Sequence, residues 1–175
     1  MSKATITESM DLVSCFIPVD MQTGANTGDF VSLKNWGRCT FVLYKAVGTA
    51  GQDPVITLQQ ATVVAGTDAK NAVIITEFRH KLGLASARDA LGVWTTVTQT
   101  AATTVDCTSA MATSAENSGF IVIEIDADEL DVANGFDCVN FSVADVGANT
   151  CLGGGFYILS EPRYAQATTA SAIAD

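Results

Sequence analysis

Residues 39–47 read Cys-Thr-Phe-Val-Leu-Tyr-Lys-Ala-Val. In an extended chain successive side chains point to opposite faces, so Cys39, Phe41 and Leu43 share one face. β-branched and aromatic residues of this kind favour strands. After a loop, a second run follows at 55–60, Val-Ile-Thr-Leu-Gln-Gln. We expect the two runs to pair as an antiparallel hairpin.

Short runs of the same type recur along the whole chain, separated by Gly, Asn, Asp and Pro,. The further strand candidates are residues 12–19, 30–33, 72–78, 93–99, 103–106, 120–125, 136–143 and 156–159. Helical turns are expected only at 86–91 and 126–132, and neither segment is long enough to cover a sheet. About ten short strands without a crossover helix predict an all-β fold, an antiparallel two-sheet β-sandwich that is jelly-roll-like.

Two continuous apolar runs, 73–75 and 120–123, contain no polar residue. An edge strand of that composition would recruit other chains, so both runs are expected in central strands.

The composition is that of one folded domain spanning residues 1–175. Hydrophobic residues make up 48% of the chain and charged residues 16%, which is enough apolar material for a core at this length. The ends, 1–10 and 165–175, are small and weakly polar, and we expect flexible segments or arms that order on a neighbour.

The net charge of −10 is opposite to what phosphate neutralisation requires, so nucleic-acid binding is not expected. Neither a signal peptide nor an apolar run long enough for a membrane span is visible, which predicts a protein made and kept in a cytoplasm without a membrane partner. The five cysteines are widely spaced and lack a CxxC motif. They are interpreted as buried free thiols.

Catalytic chemistry has few candidates in this sequence. His80 is the one histidine, and it stands in Glu-Phe-Arg-His-Lys, residues 77–81, where a solvated side chain is expected. No GxSxG elbow is present, and one histidine with scattered cysteines does not suggest a transition-metal site. We therefore expect a non-catalytic protein with no catalytic residues, no cofactor and no metal.

Residues 124–131, Glu-Ile-Asp-Ala-Asp-Glu-Leu-Asp, form the sharpest charge feature. Asp126-x-Asp128 is similar to the start of a calcium loop, but Asp131 and Asp137 stand where an EF-hand needs Gly and Glu. The preferred interpretation is a solvated acidic turn, with Asn134-Gly135 supplying a positive φ before the next strand. Ion binding by this stretch stays open.

The glycine run 153–155 is followed by a strand pattern and not by the Lys-Ser/Thr of a phosphate loop,. Glycine here is expected to permit a bulge or a close approach of two backbone segments.

Trp36 and Arg38 lie in Leu-Lys-Asn-Trp-Gly-Arg, residues 33–38. A turn tryptophan beside arginine is typical of an interface anchor, and a tryptophan that covers one end of a sandwich is equally common. Both interpretations remain open. A carbohydrate-binding module would require Trp36, Trp94 and Tyr164 on one exposed platform.

Four blocks carry a resemblance that extends from about residue 19 to residue 164. They are residues 29–36 with 40–43, residues 55–61, residues 123–132 and residues 155–164. They are similar to small structural proteins of tailed bacteriophages that are encoded beside major capsid genes and are taken to decorate the head.

The resemblance implies a capsid decoration, or cement, protein on the virion surface. Its implied partners are the major capsid protein and further copies of itself, with a trimer expected because capsids offer three-fold sites. The candidate subunit or capsid interface is Trp36, Arg38, Arg163 and Tyr164. A protein of the phage tail or neck is the alternative within the virion.

Overall fold

The structure is a computed structural model that describes residues 6–83, 92–110, 117–164 and 172–173. Its described residues form twelve strands and two four-residue helices, α1 (Ile6–Ser9) and α2 (Cys107–Ala110). The strands are β1 (Met10–Asp20), β2 (Asn26–Thr27), β3 (Val31–Ser32), β4 (Trp36–Lys45), β5 (Val55–Ala61), β6 (Lys70–Asn71), β7 (Ile75–Gly83), β8 (Thr95–Ala102), β9 (Thr104–Asp106), β10 (Ser118–Asp126), β11 (Cys138–Val143) and β12 (Leu152–Pro162).

The strands pack as two antiparallel sheets, as the sequence predicts. Sheet A has the order β1-β12-β4-β10-β7-β8. Sheet B has the order β2-β11-β5-β6, with β3 also pairing with β11 and β9 with β5. The first and last long strands are neighbours, and the chain passes repeatedly from one sheet to the other. This nesting is the jelly-roll arrangement of a β-sandwich.

The predicted hairpin between residues 39–47 and 55–60 is wrong. β4 pairs with β12 and β10 in sheet A, whereas β5 pairs with β11 in sheet B. The nine residues between the two strands cross from one sheet to the other. A tight hairpin turn would have kept both strands in the same sheet.

Several strand boundaries also differ from the predicted ones. The run 120–123 lies in β10, a central strand as expected, between β4 and β7. The run 73–75 mostly precedes β7, which continues to Gly83. The predicted helical turn at 126–132 is present as two 3-10 turns, Ala127–Glu129 and Val132–Asn134, and the predicted turn at 86–91 lies outside the described residues.

The core between the sheets is centred on three aromatic side chains. Phe41 of β4 stacks on Phe141 of β11, with ring centroids 4.6 Å apart, and Tyr157 of β12 lies 6.0 Å from Phe41. All three side chains are fully buried. The Tyr157 hydroxyl accepts hydrogen bonds from the Phe141 N–H at 3.1 Å and the Cys15 thiol at 3.0 Å, and donates to the Asp29 carbonyl at 3.1 Å. One polar atom thus joins the two sheets.

The glycine run lies inside β12, where β1 is irregular. The pairing of β1 with β12 shifts between Ser14 and Phe16 and again before Val19. A Cβ at Gly155 would come within 2.7 Å of the Phe16 ring and 2.9 Å of the Phe41 ring. The close approach of two backbone segments is found at Gly154, where an added Cβ would lie 3.2 Å from the Pro18 backbone. The irregular pairing lies in the partner strand β1 and not in the glycine run.

The five cysteines are buried free thiols, as predicted. Burial raises the pKa of Cys15 to about 12 and raises the pKa of Cys39 and Cys107 further. These thiols act as small apolar side chains, because their reactive thiolate form is suppressed.

The two ends are partly built into the body. Residues 6–9 form α1 beside β1, so this part of the predicted N-terminal arm is a helical turn. Near the C-terminus Ala172 is buried, and its carbonyl accepts the Ser32 N–H at 2.8 Å. The next residue, Ile173, is 52% exposed. Residues 1–5, 165–171 and 174–175 lie outside the described part.

Candidate interaction surface

The four predicted interface residues lie at one corner of the sandwich. Trp36 opens β4 opposite Pro162 at the end of β12. The Arg163 N–H donates to the Asn35 carbonyl at 2.9 Å, and Tyr164 follows with 67% of its surface exposed. The pairing of β4 with β12 therefore brings together residues that are more than a hundred positions apart in sequence.

Trp36 requires a correction, because its side chain is 3% exposed and belongs to the buried core cluster. The large apolar indole stabilises the fold more when it fills the end of the sandwich than when it remains in water. Of the two interpretations left open by the sequence, the structure supports the covering tryptophan. Its side chain is not available to a partner.

Arg38 is held by acidic neighbours at the same corner. Its Nε lies 2.6 Å from an Asp126 carboxylate oxygen, and Nη1 lies 3.4 Å from Glu161. The hydrogen bond that Arg38 donates to the Asp126 carboxylate raises the pKa of the Arg38 guanidinium. The charge of Arg38 is therefore compensated within the chain, and Arg163 and Tyr164 are the exposed members of the predicted set.

The acidic stretch 124–131 is used for ion pairs and capping. The Glu129 carboxylate accepts the Asp126 N–H at 2.9 Å. The Asp131 carboxylate lies 2.5 Å from the Lys70 ammonium, and this hydrogen bond lowers the pKa of Asp131. Gly135 has a φ of 83°, as the acidic-turn interpretation requires. Among the described residues, no cluster of three or more His, Cys, Asp and Glu side chains is arranged to hold a metal ion.

His80 is not the solvated side chain that the sequence suggested. It alternates with the outward-facing Arg79 and Lys81 on β7 and is only partly exposed. Its Nδ1 is buried without a hydrogen-bond partner in the described structure, and burial lowers the pKa of the imidazole. Burial therefore favours the neutral imidazole.

A feature that the sequence reasoning missed is the outer face of sheet A. Outward positions on the exposed face of a sandwich are ordinarily polar. Here a continuous set of apolar side chains crosses β1, β12, β4 and β10. We call this set the apolar band, and it consists of Leu12, Val42, Tyr44, Phe120, Val122, Leu152, Phe156 and Ile158.

Alternation along each strand places the band on the outside. In β4, Phe41 and Leu43 are fully buried in the core and Tyr44 is 50% exposed. On the outer face the ring of Tyr44 stacks on that of Phe120, with centroids 4.7 Å apart. Leu12 and Leu152 are 57% and 54% exposed. These side chains lie where a partner could bury them.

A groove of about 540 Å³ runs through the band. Its twelve lining residues include Leu12, Pro18, Tyr44, Leu152 and Phe156, and none of the twelve is charged. Gly154 is one of the lining residues, and Pro18 packs closely against it, because an added Cβ at Gly154 would lie 3.2 Å from the Pro18 backbone. The arrangement offers van der Waals contact and apolar burial.

A signal for the band is present in the sequence. Residues 41–44, 120–123 and 156–159 are almost wholly apolar, whereas a strand with one solvated face alternates with polar residues,. Of these runs, 120–123 is the one predicted to lie in a central strand, and it does so in β10. All three runs also indicate strands with two apolar faces, both of which are expected to be buried.

The aromatic platform of a carbohydrate module is not formed. Trp36 is buried, and Trp94 lies at the far side of sheet A beside Lys81, whose ammonium is 5.9 Å from the indole ring. Tyr164 follows the end of β12 at the opposite corner. No helix in the described part of the chain is long and apolar enough to span a membrane.

No family model and no curated protein matches the chain. Among solved structures, it is similar to a chain in the cryo-EM structure of Broad Bean Stain Virus at 10% sequence identity and a TM-score of 0.21, with 93% of this chain and 89% of that chain covered. It is also similar to a chain of infectious bursal disease virus Gt strain, at 9% identity and a TM-score of 0.21, with 88% of this chain and 40% of that chain covered. Both TM-scores are low, so neither similarity indicates a function for this chain.

Proposed function

We propose that this chain is a structural protein of a tailed-bacteriophage virion that binds the outer surface of the capsid and stabilises it, without catalysis. The observation that carries the proposal is the apolar outer face of sheet A on a rigid sandwich. An exposed apolar patch of this kind is typical of a surface made for protein contact.

The resemblance to head-decorating proteins supports the same assignment. Three of its four blocks overlap β4, β10 and β12, which are adjacent in sheet A. The block 123–132 covers only the end of β10 and the 3-10 turns after it. The similarity therefore lies in the sheet framework, and it includes Val42, Phe156 and Ile158 of the band. Shared fold alone does not decide function, so the proposal depends on the surface as well as on the resemblance.

The proposed partners are the major capsid protein and further copies of the chain, with a trimer as the expected oligomer. The proposed location is the virion surface after synthesis in the host cytoplasm. A shell presents the same site many times, so several weak contacts of one oligomer add through high effective concentration. The exposed residues Arg163 and Tyr164 are the proposed contact to the shell.

The test is co-sedimentation of the purified chain with heads of the phage that encodes it, prepared without this protein. We expect saturable binding at a fixed copy number per head. The double variant Arg163→Glu with Tyr164→Ala should weaken binding at least about tenfold, since aromatic and arginine side chains dominate interfaces. Val73→Ala is the matched control, because Val73 is 61% exposed and lies outside the corner.

A chain that never associates with heads would overturn the proposal. Co-purification with tails or necks, at a copy number that fits a ring, would also overturn the capsid assignment. Head binding that is unchanged in the double variant would exclude Arg163 and Tyr164 as the shell contact.

A further inference from the structure

We propose that the apolar band is the surface through which copies of this chain contact one another. The inference rests on the proposed function for its setting, a virion protein present in many copies. It goes further by assigning the subunit contact to the apolar band, whereas the proposed contact to the shell is Arg163 and Tyr164.

The size of the band matches the centre of a subunit interface. Four strands at a spacing of about 4.8 Å span about 19 Å, and three outward rows about 6.8 Å apart cover about 20 Å. The rows pass through Leu12 and Ile158, through Phe156 with Val42 and Val122, and through Tyr44 with Phe120.

The outlined area is about 400 Å², half of the roughly 800 Å² that each partner contributes to a standard interface. It includes Ser14, Thr40 and Glu124, which lie in the same rows, so part of it is polar. Exposed apolar side chains beside the band add to it, including Ile17, which is 73% exposed. A polar rim would supply the remainder, as in ordinary interfaces.

That rim consists of ion pairs already formed within the chain. The Arg79 guanidinium lies 3.0 Å from Glu124 and 2.9 Å from Glu77. Arg38 pairs with Asp126 at the end of the same face. Such pairs leave no isolated charge to be desolvated when a second copy approaches.

The charge balance of this face favours a second copy as its occupant. Arg38, Arg79 and Lys81 oppose Glu77, Glu124, Asp126 and Glu161, so the face and its margin carry a net charge of −1, compared with −10 for the chain. Two strongly acidic chains repel each other least where their local charge is nearly zero. A basic partner would be drawn instead to the acidic remainder of the surface.

The groove adds shape to this surface. The groove is lined by Pro18, Tyr44 and Phe156 among others, and a protruding apolar side chain can enter it. Filling a recess in a neighbouring copy gives an interface its fully desolvated centre, where most of the binding energy is found.

The test is the mass of the purified chain in solution, without heads, by sedimentation velocity over a wide concentration range. We expect the wild type to sediment as an oligomer of 18.2 kDa subunits. The double variant Leu12→Lys with Leu152→Lys places two charges in the groove, and should weaken association by about 100-fold or more, as loss of central interface contacts does.

The double variant Val73→Lys with Val132→Lys is the matched control. It adds the same charge at side chains that are 61% and 54% exposed but lie outside the band, and we expect it to associate as the wild type does. Equal urea midpoints of both double variants would show that the lysines act on association and not on the fold. An oligomer that persists in the band variant would overturn the inference.

A wild type that is monomeric at every concentration would overturn it as well. If that monomer still bound heads, the proposed function would stand and the subunit contact would fail. If the chain formed band-dependent oligomers that never bound heads, the subunit contact would stand and the proposed function would fail.

Discussion

Removing the Tyr157 hydroxyl should lower the stability of the sandwich, because this one oxygen takes part in three buried hydrogen bonds. In Tyr157→Phe the Phe141 N–H loses its acceptor, the Asp29 carbonyl loses its donor, and the Cys15 thiol retains only the Phe141 carbonyl at 3.4 Å. A buried polar group left without a partner costs about 1 to 3 kcal/mol. The main loss is the Phe141 amide, so we expect the free energy of unfolding to fall by about 2 to 3 kcal/mol.

The assay is urea unfolding followed by fluorescence, with Tyr164→Phe as the matched control. Tyr164 is 67% exposed, so removing its hydroxyl should change stability by less than about 0.5 kcal/mol. For a domain of this length the Tyr157 variant should melt about 5 to 10 °C lower than the wild type. A loss below about 0.5 kcal/mol with an unchanged denaturant slope would refute the role of this hydroxyl as the polar link between the sheets.

Three further predictions concern packing, charge and thiols. Gly155→Ala should destabilise the fold by about 1 to 3 kcal/mol, because the new methyl group meets the Phe16 and Phe41 rings,; wild-type stability in urea would contradict this. Lys70→Gln should lower stability at neutral pH, because Lys70 holds the pKa of Asp131 below 3.8. A depressed carboxyl pKa stabilises the fold above that value, and this stability is lost as the pH falls through the folded pKa. The difference between the two proteins should therefore shrink over that range, to the part left by the Lys70 ammonium over the Phe136 ring, 3.7 Å from its centroid. A difference that is constant with pH would exclude the ion pair as its cause. The five thiols should react with a thiol reagent only after unfolding, since all are buried,; rapid modification of the native protein would show an accessible cysteine.

Strand positions could be predicted from the sequence, but strand pairing could not. Alternation is a local property, so β4, β5 and β10 lie close to where the pattern of apolar residues places them. Pairing depends on long-range packing, and residue Phe41 lies opposite Tyr157 rather than opposite a residue of the next strand. Proximity in sequence suggested a hairpin for β4 and β5 that the two-sheet fold does not contain.

The candidate site was predicted in part. The sequence named Trp36, Arg38, Arg163 and Tyr164 as interface candidates, and only the pairing of β4 with β12 shows that they lie at one corner; their role in an interface stays a prediction. Burial of the indole could not be read from the sequence, because a tryptophan beside arginine has the same local pattern at an interface and at the end of a core. The apolar band was missed because the sequence does not show which of the two apolar faces of sheet A is covered by sheet B.

The most direct test of the central claim is a cryo-EM map of the whole virion in which this chain is placed. We expect sandwich-shaped density on the outer surface of the head at symmetry-related positions, with the corner of Arg163 and Tyr164 against the shell. Density for this chain confined to the tail or neck, or no density for it in the particle, would show that it is not a protein of the capsid surface.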